Sequence, residues 1–162
     1  MNVKIGRKGM IKVLFVCLGN ICRSPMAEFI FKEMIHNEHI EDKFVVESAG
    51  TDAEVGSKIY SLARQELDKH YILCDGKVGR QLEKRDYIQF DYILAMEEKN
   101  LVGIKNICGQ DLEHKVARLL DFSKNPRDIA DPWYTRNFSI TYDDIEEGCN
   151  AFLQYLKEQH VL

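Results

Sequence analysis

Apolar and polar positions are unevenly spaced along the chain. The densest apolar stretch is Val13-Leu14-Phe15-Val16-Cys17, entered from Lys12. A run this short, with no polar alternation, predicts a strand buried on both faces. It leads into Leu18-Gly19-Asn20-Ile21-Cys22-Arg23, where Gly19 and Asn20 tolerate the backbone angles of a tight loop. Ser24 as N-cap and Pro25 at the first helical position then predict a helix start. Met26, Phe29, Ile30 and Met34 continue that helix at its own period.

The same reading predicts strands over 43–49, 91–96 and 116–120. Helices are predicted over 57–70, with Ile59, Leu62, Ala63 and Leu67 inward, over 83–89, and over 97–107. A terminal amphipathic helix over 142–159 turns Ile145, Cys149, Phe152, Leu153 and Leu156 inward. Strands alternating with helices imply parallel β-α-β units. The expected fold is therefore α/β: a three-layer sandwich with a four-stranded parallel sheet flanked by helices on both faces. No repeat or linker interrupts residues 10–162, which we read as one domain behind a dispensable polar tail, 1–9. Met10 is an alternative start.

Strand, tight loop and helix start together make an anion cradle. The first N–H groups of a helix lack intrahelical partners, and the dipole places positive charge there. A loop curled over that start turns further N–H groups to the same point, as phosphate-binding loops do. Arg23 adds a planar fork for two phosphate oxygens. Cys17 stands at the mouth, where the field that draws phosphate also favours a thiolate nucleophile. Cys74-Asp75-Gly76-Lys77-Val78-Gly79-Arg80 repeats the Cys-x5-Arg spacing, but no buried strand feeds it and no Ser-Pro helix start follows. We read that second match as coincidence.

Ester cleavage also needs a proton for the leaving oxygen. The irregular stretch Asn125-Pro126-Arg127-Asp128-Ile129-Ala130-Asp131-Pro132-Trp133-Tyr134-Thr135 offers Asp131, with Asp128 as its rival. Trp133 and Tyr134 either flank a substrate ring or pack inward from a surface turn. Ser48, at the carboxyl end of the second strand, either supports the loop or serves as a strand-end turn residue.

Composition narrows the setting. The chain has 162 residues, 45% of them hydrophobic and 30% charged, with a net charge of −4. It lacks the basic footprint of a nucleic-acid binder and any apolar run long enough to cross a bilayer. Residues 1–9 do not read as a signal peptide. Five irregularly spaced cysteines, Cys17, Cys22, Cys74, Cys108 and Cys149, argue for a reducing, cytoplasmic setting and against a disulfide framework. No Cys-x2-Cys pair points to zinc, and His36 and His39 read as solvated. No metal or cofactor is expected.

Val16-Cys17-Leu18-Gly19-Asn20-Ile21-Cys22-Arg23-Ser24-Pro25-Met26-Ala27-Glu28 resembles the signature loop of low-molecular-weight protein tyrosine phosphatases. The resemblance continues, in family order, through Ser48-Ala49-Gly50-Thr51, Phe90-Asp91-Tyr92-Ile93-Leu94-Ala95-Met96 and Asp131-Pro132-Trp133-Tyr134. It implies hydrolysis of phosphotyrosine in proteins or peptides, with inorganic phosphate as product. The route is double displacement: Cys17 attacks phosphorus, Arg23 clamps the phosphate, and Asp131 serves as acid and then as base.

By the same resemblance Leu18, Gly19, Ile21 and Cys22 line the phosphate site, while Asn20 and Ser24 hold the loop. Cys22 either protects Cys17 by a reversible disulfide, as in relatives with this pair, or packs behind the loop. Arginine phosphatases of the superfamily carry Thr where this chain has Ile21, so the aliphatic residue favours phosphotyrosine. Two positions depart from the family pattern. Ala53 stands where an aromatic cleft wall is common, which leaves the cleft more open and more acidic. Lys77 stands where a histidine often braces the loop. The rival readings are an arsenate reductase of the same fold and a silent phosphate-binding module. The first needs paired resolving cysteines, and Cys74 and Cys108 lie far apart in sequence.

Overall fold

The structure, a computed structural model, describes residues 9–162; apart from Gly9, the expected tail at 1–9 lies outside the described residues. Strands β1 (Ile11–Cys17), β2 (Phe44–Gly50), β3 (Tyr92–Ala95) and β4 (Val116–Arg118) form one parallel sheet in the order β2-β1-β3-β4. The helices are α1 (Arg23–Asn37), α2 (Ser61–Lys69), α3 (Lys84–Gln89), α4 (Glu98–Cys108), α5 (Pro132–Thr135) and α6 (Phe138–Glu158). This is the expected α/β sandwich.

The pleat of β1 shows why its apolar run has no polar alternation. Ile11, Val13, Phe15 and Cys17 join the core beneath α1, α2 and α6, whereas Leu14 and Val16 join a second core beneath α3 and α4. A strand at the centre of three layers has no solvent face, so both phases of its two-residue period are apolar. On the larger side Phe31 gathers Phe15, Phe44 and Phe152 at centroid distances of 5.3–5.8 Å. Those edge and tilted contacts tie α1 and α6 to the sheet.

Several boundaries differ from the sequence expectation. Helix α1 begins two residues early, with Cys22 at the N-cap and Ser24 inside the first turn. The Ser24 hydroxyl is bonded to the cradle instead of capping, and Pro25 stays within the first turn, where its missing N–H costs nothing. Its inward face also includes Phe31 and Ile35, while Phe29 and Met34 are only partly buried. The 57–60 stretch is not helical: Ser57 is held in a turn by Glu54 and Gly79, and Lys58 pairs with Val78. The fourth strand stops at Arg118 and passes into a 3-10 turn, Leu119–Phe122. Helix α6 starts at Phe138, earlier than expected, because the Asn137 side chain caps the Ile140 N–H. Asp131 and Pro132 likewise turn the expected loop into the single-turn α5.

The parallel order brings the carboxyl ends of β1, β2 and β3 to one edge, where ligands bind in such sheets. Segment 50–54 is packed tightly there between the loop after β1 and segment 78–82. A Cβ on Gly79 would stand 2.3 Å from the Glu54 carbonyl oxygen, and one on Gly50 would stand 2.5 Å from that of Leu18. Gly79→Ala should therefore shift backbone and cost about 2 kcal/mol. Urea unfolding checks this: a lower midpoint at constant slope is expected, and an unchanged midpoint refutes the tight contact.

Candidate active site

The loop from Cys17 to Arg23 is shaped by bonds to its carbonyls. Those of Cys17, Leu18, Gly19 and Ile21 accept N–H bonds of 2.9–3.0 Å from Thr51, Asp52, Glu54 and Tyr60, and that of Cys22 accepts from Met26 at 3.0 Å. With these oxygens drawn outward, the N–H groups turn toward the loop axis; none from Leu18 to Cys22 has a protein acceptor among the described residues. Asn20 makes the reversal at φ 58, a left-handed angle that asparagine accepts readily. Gly19 was expected to share that task; its φ is not left-handed, because the turn is completed at Asn20 alone.

A chain of side-chain hydrogen bonds then reaches Cys17. The Arg80 N–H donates to Asn20 Oδ1 at 2.9 Å, which fixes the amide so that Nδ2 faces Ser24 Oγ at 2.7 Å and Ser48 Oγ at 3.0 Å. Ser48 Oγ donates its own hydrogen to Glu28 Oε1 at 2.6 Å. Ser24 Oγ, already accepting from Asn20, lies 2.9 Å from Cys17 Sγ, where either atom can donate, and 3.4 Å from the Ala49 carbonyl; toward a Cys17 thiolate Ser24 is the donor. Such a donor stabilises charge on sulfur. Below it, Lys32 donates to Glu28 Oε2 at 2.6 Å, and Lys77 donates to the Ser48 carbonyl at 2.9 Å while lying 3.6 Å from Glu28 Oε1. Burial pulls the Lys77 ammonium below the usual lysine range, and Glu28 works against that shift.

Arg23 is held from behind. Its Nη1 bonds Glu97 Oε2 and the Ile129 carbonyl, the latter at 2.8 Å, and its Nη2 lies 3.3 Å from Asp131 Oδ2. Asp131 caps α5 by accepting the Trp133 N–H at 3.0 Å. Cys17, Leu18, Gly19, Ile21, Cys22, Arg23, Asp131, Trp133 and Tyr134 line one cavity of about 240 Å³, joined by Glu54. Trp133 and Tyr134 are exposed at its rim, not packed inward. Asn20, Ser24 and Ser48 sit buried beneath it.

The chain is similar to known proteins over most of its length. The family model described as low molecular weight phosphotyrosine protein phosphatase matches residues 12–162. The chain belongs to that family. It is 36% identical to low molecular weight protein-tyrosine-phosphatase YfkJ of Bacillus subtilis (strain 168), across 94% of this chain and 100% of the relative. The crystal structure of YfkJ superposes with TM-score 0.89 at 37% identity, covering 95% of this chain and 99% of that one. PtpA of Staphylococcus aureus (strain MRSA252), of the same name, is 39% identical over 91% and 94%. A protein tyrosine phosphatase of Entamoeba histolytica, solved with Hepes in its active site, gives TM-score 0.85 at 32% identity over 93% and 99%.

Against this family background, the structure also shows what sequence reasoning passed over. Glu28 and Glu97 had been given no part, yet one anchors the hydrogen-bond chain and the other holds Arg23. Glu28 lay inside the signature loop motif and Glu97 directly followed Met96; a carboxylate at either place was the only signal. The second Cys-x5-Arg match is no second cradle: Cys74 is buried in the core and Arg80 pairs with Asp86 and Glu47. Its segment instead backs the first loop, through the Arg80 N–H and Lys77. Asp128 is occupied by the Glu98 N–H and Arg118, outside the Cys17 cavity. Ala53 does not line the cavity; Glu54 does, an acid at that wall.

Burial pushes the Cys22 thiol up to about 12, with Cys17 and Asp131 adding to the shift. Burial also raises the thiols of Cys74, Cys108 and Cys149. All four stay protonated at neutral pH and slow to alkylate. One equivalent of iodoacetamide at pH 7 should therefore modify Cys17 alone, with protection by phosphate, as read by peptide mass spectrometry. Comparable labelling of Cys22 would contradict this geometry.

Proposed function

We propose that this protein is a protein tyrosine phosphatase that hydrolyses phosphotyrosine in proteins or peptides through a cysteinyl-phosphate. One observation carries the reading: a sulfur 2.9 Å from a buried hydroxyl, loop N–H groups that have no protein acceptor among the described residues, a buried arginine and a carboxyl group meet at one cavity. In the first step the Cys17 thiolate attacks phosphorus. The P–O bond to the tyrosine oxygen breaks, and Asp131 gives that oxygen its proton. In the second step the Asp131 carboxylate takes a proton from water, which attacks phosphorus, breaks the S–P bond and releases inorganic phosphate.

Phosphoryl transfer develops charge on the equatorial oxygens, so catalysis is mainly positioning and electrostatics. The loop N–H groups, with the Nε–H and the second Nη2–H of Arg23, would bind those oxygens. Glu97 and the Ile129 carbonyl fix the guanidinium through Nη1, which limits reorganisation as charge moves. Every proton and charge in the scheme is handled by protein groups, so the proposed reaction calls for no metal or cofactor.

The exposed Trp133 and Tyr134 at the rim suit an aromatic leaving group, and the aliphatic Ile21 favours tyrosine over arginine as the phosphorylated residue. An arsenate reductase needs resolving cysteines that meet. Cys74 and Cys108 belong to separate cores on opposite faces of the sheet, which speaks for ester hydrolysis. Unpaired cysteines fit a reducing cytoplasm, and no helix among the described residues is long and apolar enough to cross a membrane.

The reading is tested by phosphate release from a phosphotyrosine peptide in the presence of a chelator. Turnover is expected in the wild type, and a loss of at least about 10³-fold in Cys17→Ser with phosphate binding retained. Wild-type-like activity in that variant would refute the nucleophile. Asp131→Asn should slow esters of poor leaving groups by about 10²-fold or more, and activated aryl phosphates far less. Equal losses for both would remove the acid assignment.

A further inference from the structure

Tyr60 and Arg136 have no part in the scheme above, yet together they touch both halves of the site. Tyr60 immediately precedes α2, and its backbone N–H donates to the Ile21 carbonyl of the phosphate loop at 2.9 Å. Its ring meets Trp133 edge-on at a centroid distance of 5.0 Å and stacks near Phe138 at 6.0 Å. Its hydroxyl accepts from Arg136 Nη2 at 3.0 Å. The Arg136 guanidinium lies 5.6 Å from the Tyr60 ring centre and 5.9 Å from those of Trp133 and Phe138.

Arg136 follows α5 at φ 59, a left-handed conformation that disfavours a residue bearing a Cβ. Its N–H closes the turn on the Pro132 carbonyl at 2.9 Å. Contacts of the guanidinium with three rings and a hydroxyl offset that backbone preference. A helix of one turn does not hold itself, so α5 depends on what flanks it. Before Asp131 the chain is tied to the sheet edge, where the Ile129 N–H donates to the Met96 carbonyl at 2.9 Å. After Asp131 its side-chain ties run to Tyr60 and Phe138. Asp131 stands between these two anchorages.

We propose that Tyr60 and Arg136 are positioning residues: they latch the turn bearing Asp131 to the phosphate loop and so set the reach from its carboxyl to the leaving oxygen. The inference rests on the phosphatase reading and adds to it the device that places the acid. Tyr60 grips the nucleophile loop by its backbone and the acid turn by its side chain, so a single residue spans the gap between them. Proton transfer needs heavy atoms within about 2.6–3.2 Å, a tolerance that a one-turn helix cannot keep unaided.

The test is kcat/KM for aryl phosphates of increasing leaving-group pKa in wild type, Tyr60→Phe, Arg136→Lys and Arg136→Gly, with Asp131→Asn as reference. This ratio follows the reaction through departure of the leaving group when that step is irreversible. Each latch variant should lose about tenfold on phenyl phosphate. Each should lose less than about twofold on p-nitrophenyl phosphate, whose leaving group needs little acid assistance, and inhibition by phosphate should stay within about twofold of wild type. Arg136→Gly relieves the left-handed backbone, so a loss there belongs to the side chain and not to strain. The pair Tyr60→Phe and Arg136→Lys should together lose about as much as the larger single loss.

No loss, or losses equal across all leaving groups, while Asp131→Asn shows the leaving-group dependence, would overturn the latch and leave the phosphatase reading standing. Absence of that dependence in Asp131→Asn itself would overturn the acid assignment and the latch with it.

Discussion

The structure depends on where the carbonyls of a short loop point. A peptide unit has its N–H and C=O on opposite sides, so pulling the oxygens of Cys17, Leu18, Gly19 and Ile21 outward turns the adjacent N–H groups inward. Those outward bonds come from Thr51, Asp52, Glu54 and Tyr60, a segment with little regular structure of its own. Segment 78–82 holds it in place in turn, with Gly50 and Gly79 allowing the backbones to approach. The loop is thus the innermost of three nested layers of backbone, and only the innermost carries the N–H groups proposed to bind phosphate.

The charges around that cradle are divided by depth. Glu28 is buried beneath it and acts through neutral intermediates, Ser48, Asn20 and Ser24; Lys77, half-buried, donates to the Ser48 carbonyl. Glu97 bonds Arg23 but does not line the Cys17 cavity, so it holds the guanidinium from outside that space. A net charge of −4 makes the molecule as a whole mildly repulsive to phosphate. Attraction has to be local, from backbone donors and one arginine in a site shielded from water, where such interactions are stronger.

The side of the site that carries Asp131, the proposed acid, is built on another plan. Asp131 sits at the N-cap of a single helical turn with two exposed aromatics, and little regular structure lies around it. What secures it are contacts from distant parts of the chain: Met96 at the sheet edge, Arg23 in α1, Tyr60 before α2 and Phe138 at the start of α6. A nucleophile needs a rigid loop. A group that gives a proton in one step and takes one in the next needs only correct reach in both.

The fold and the centre of the site were legible in the sequence because their causes are local. The double-sided burial of β1 shows as a run without alternation, and the cradle shows as that run followed by Asn20, Arg23 and Pro25. Element boundaries were less legible where side chains had a competing use: Ser24 looks like a helix cap, but its hydroxyl is drawn to Cys17 and Asn20. Glu28, Glu97, Lys77 and Arg80 act across separations of 20 to 74 residues, and no short-range pattern marks such partners. Sequence alone therefore determined the family and the chemistry proposed for it, since the candidate nucleophile, clamp and cradle lie within seven residues. Only the tertiary structure decided how that chemistry is held, because orienting hydrogen bonds and ion pairs form between groups that meet after the sheet has assembled.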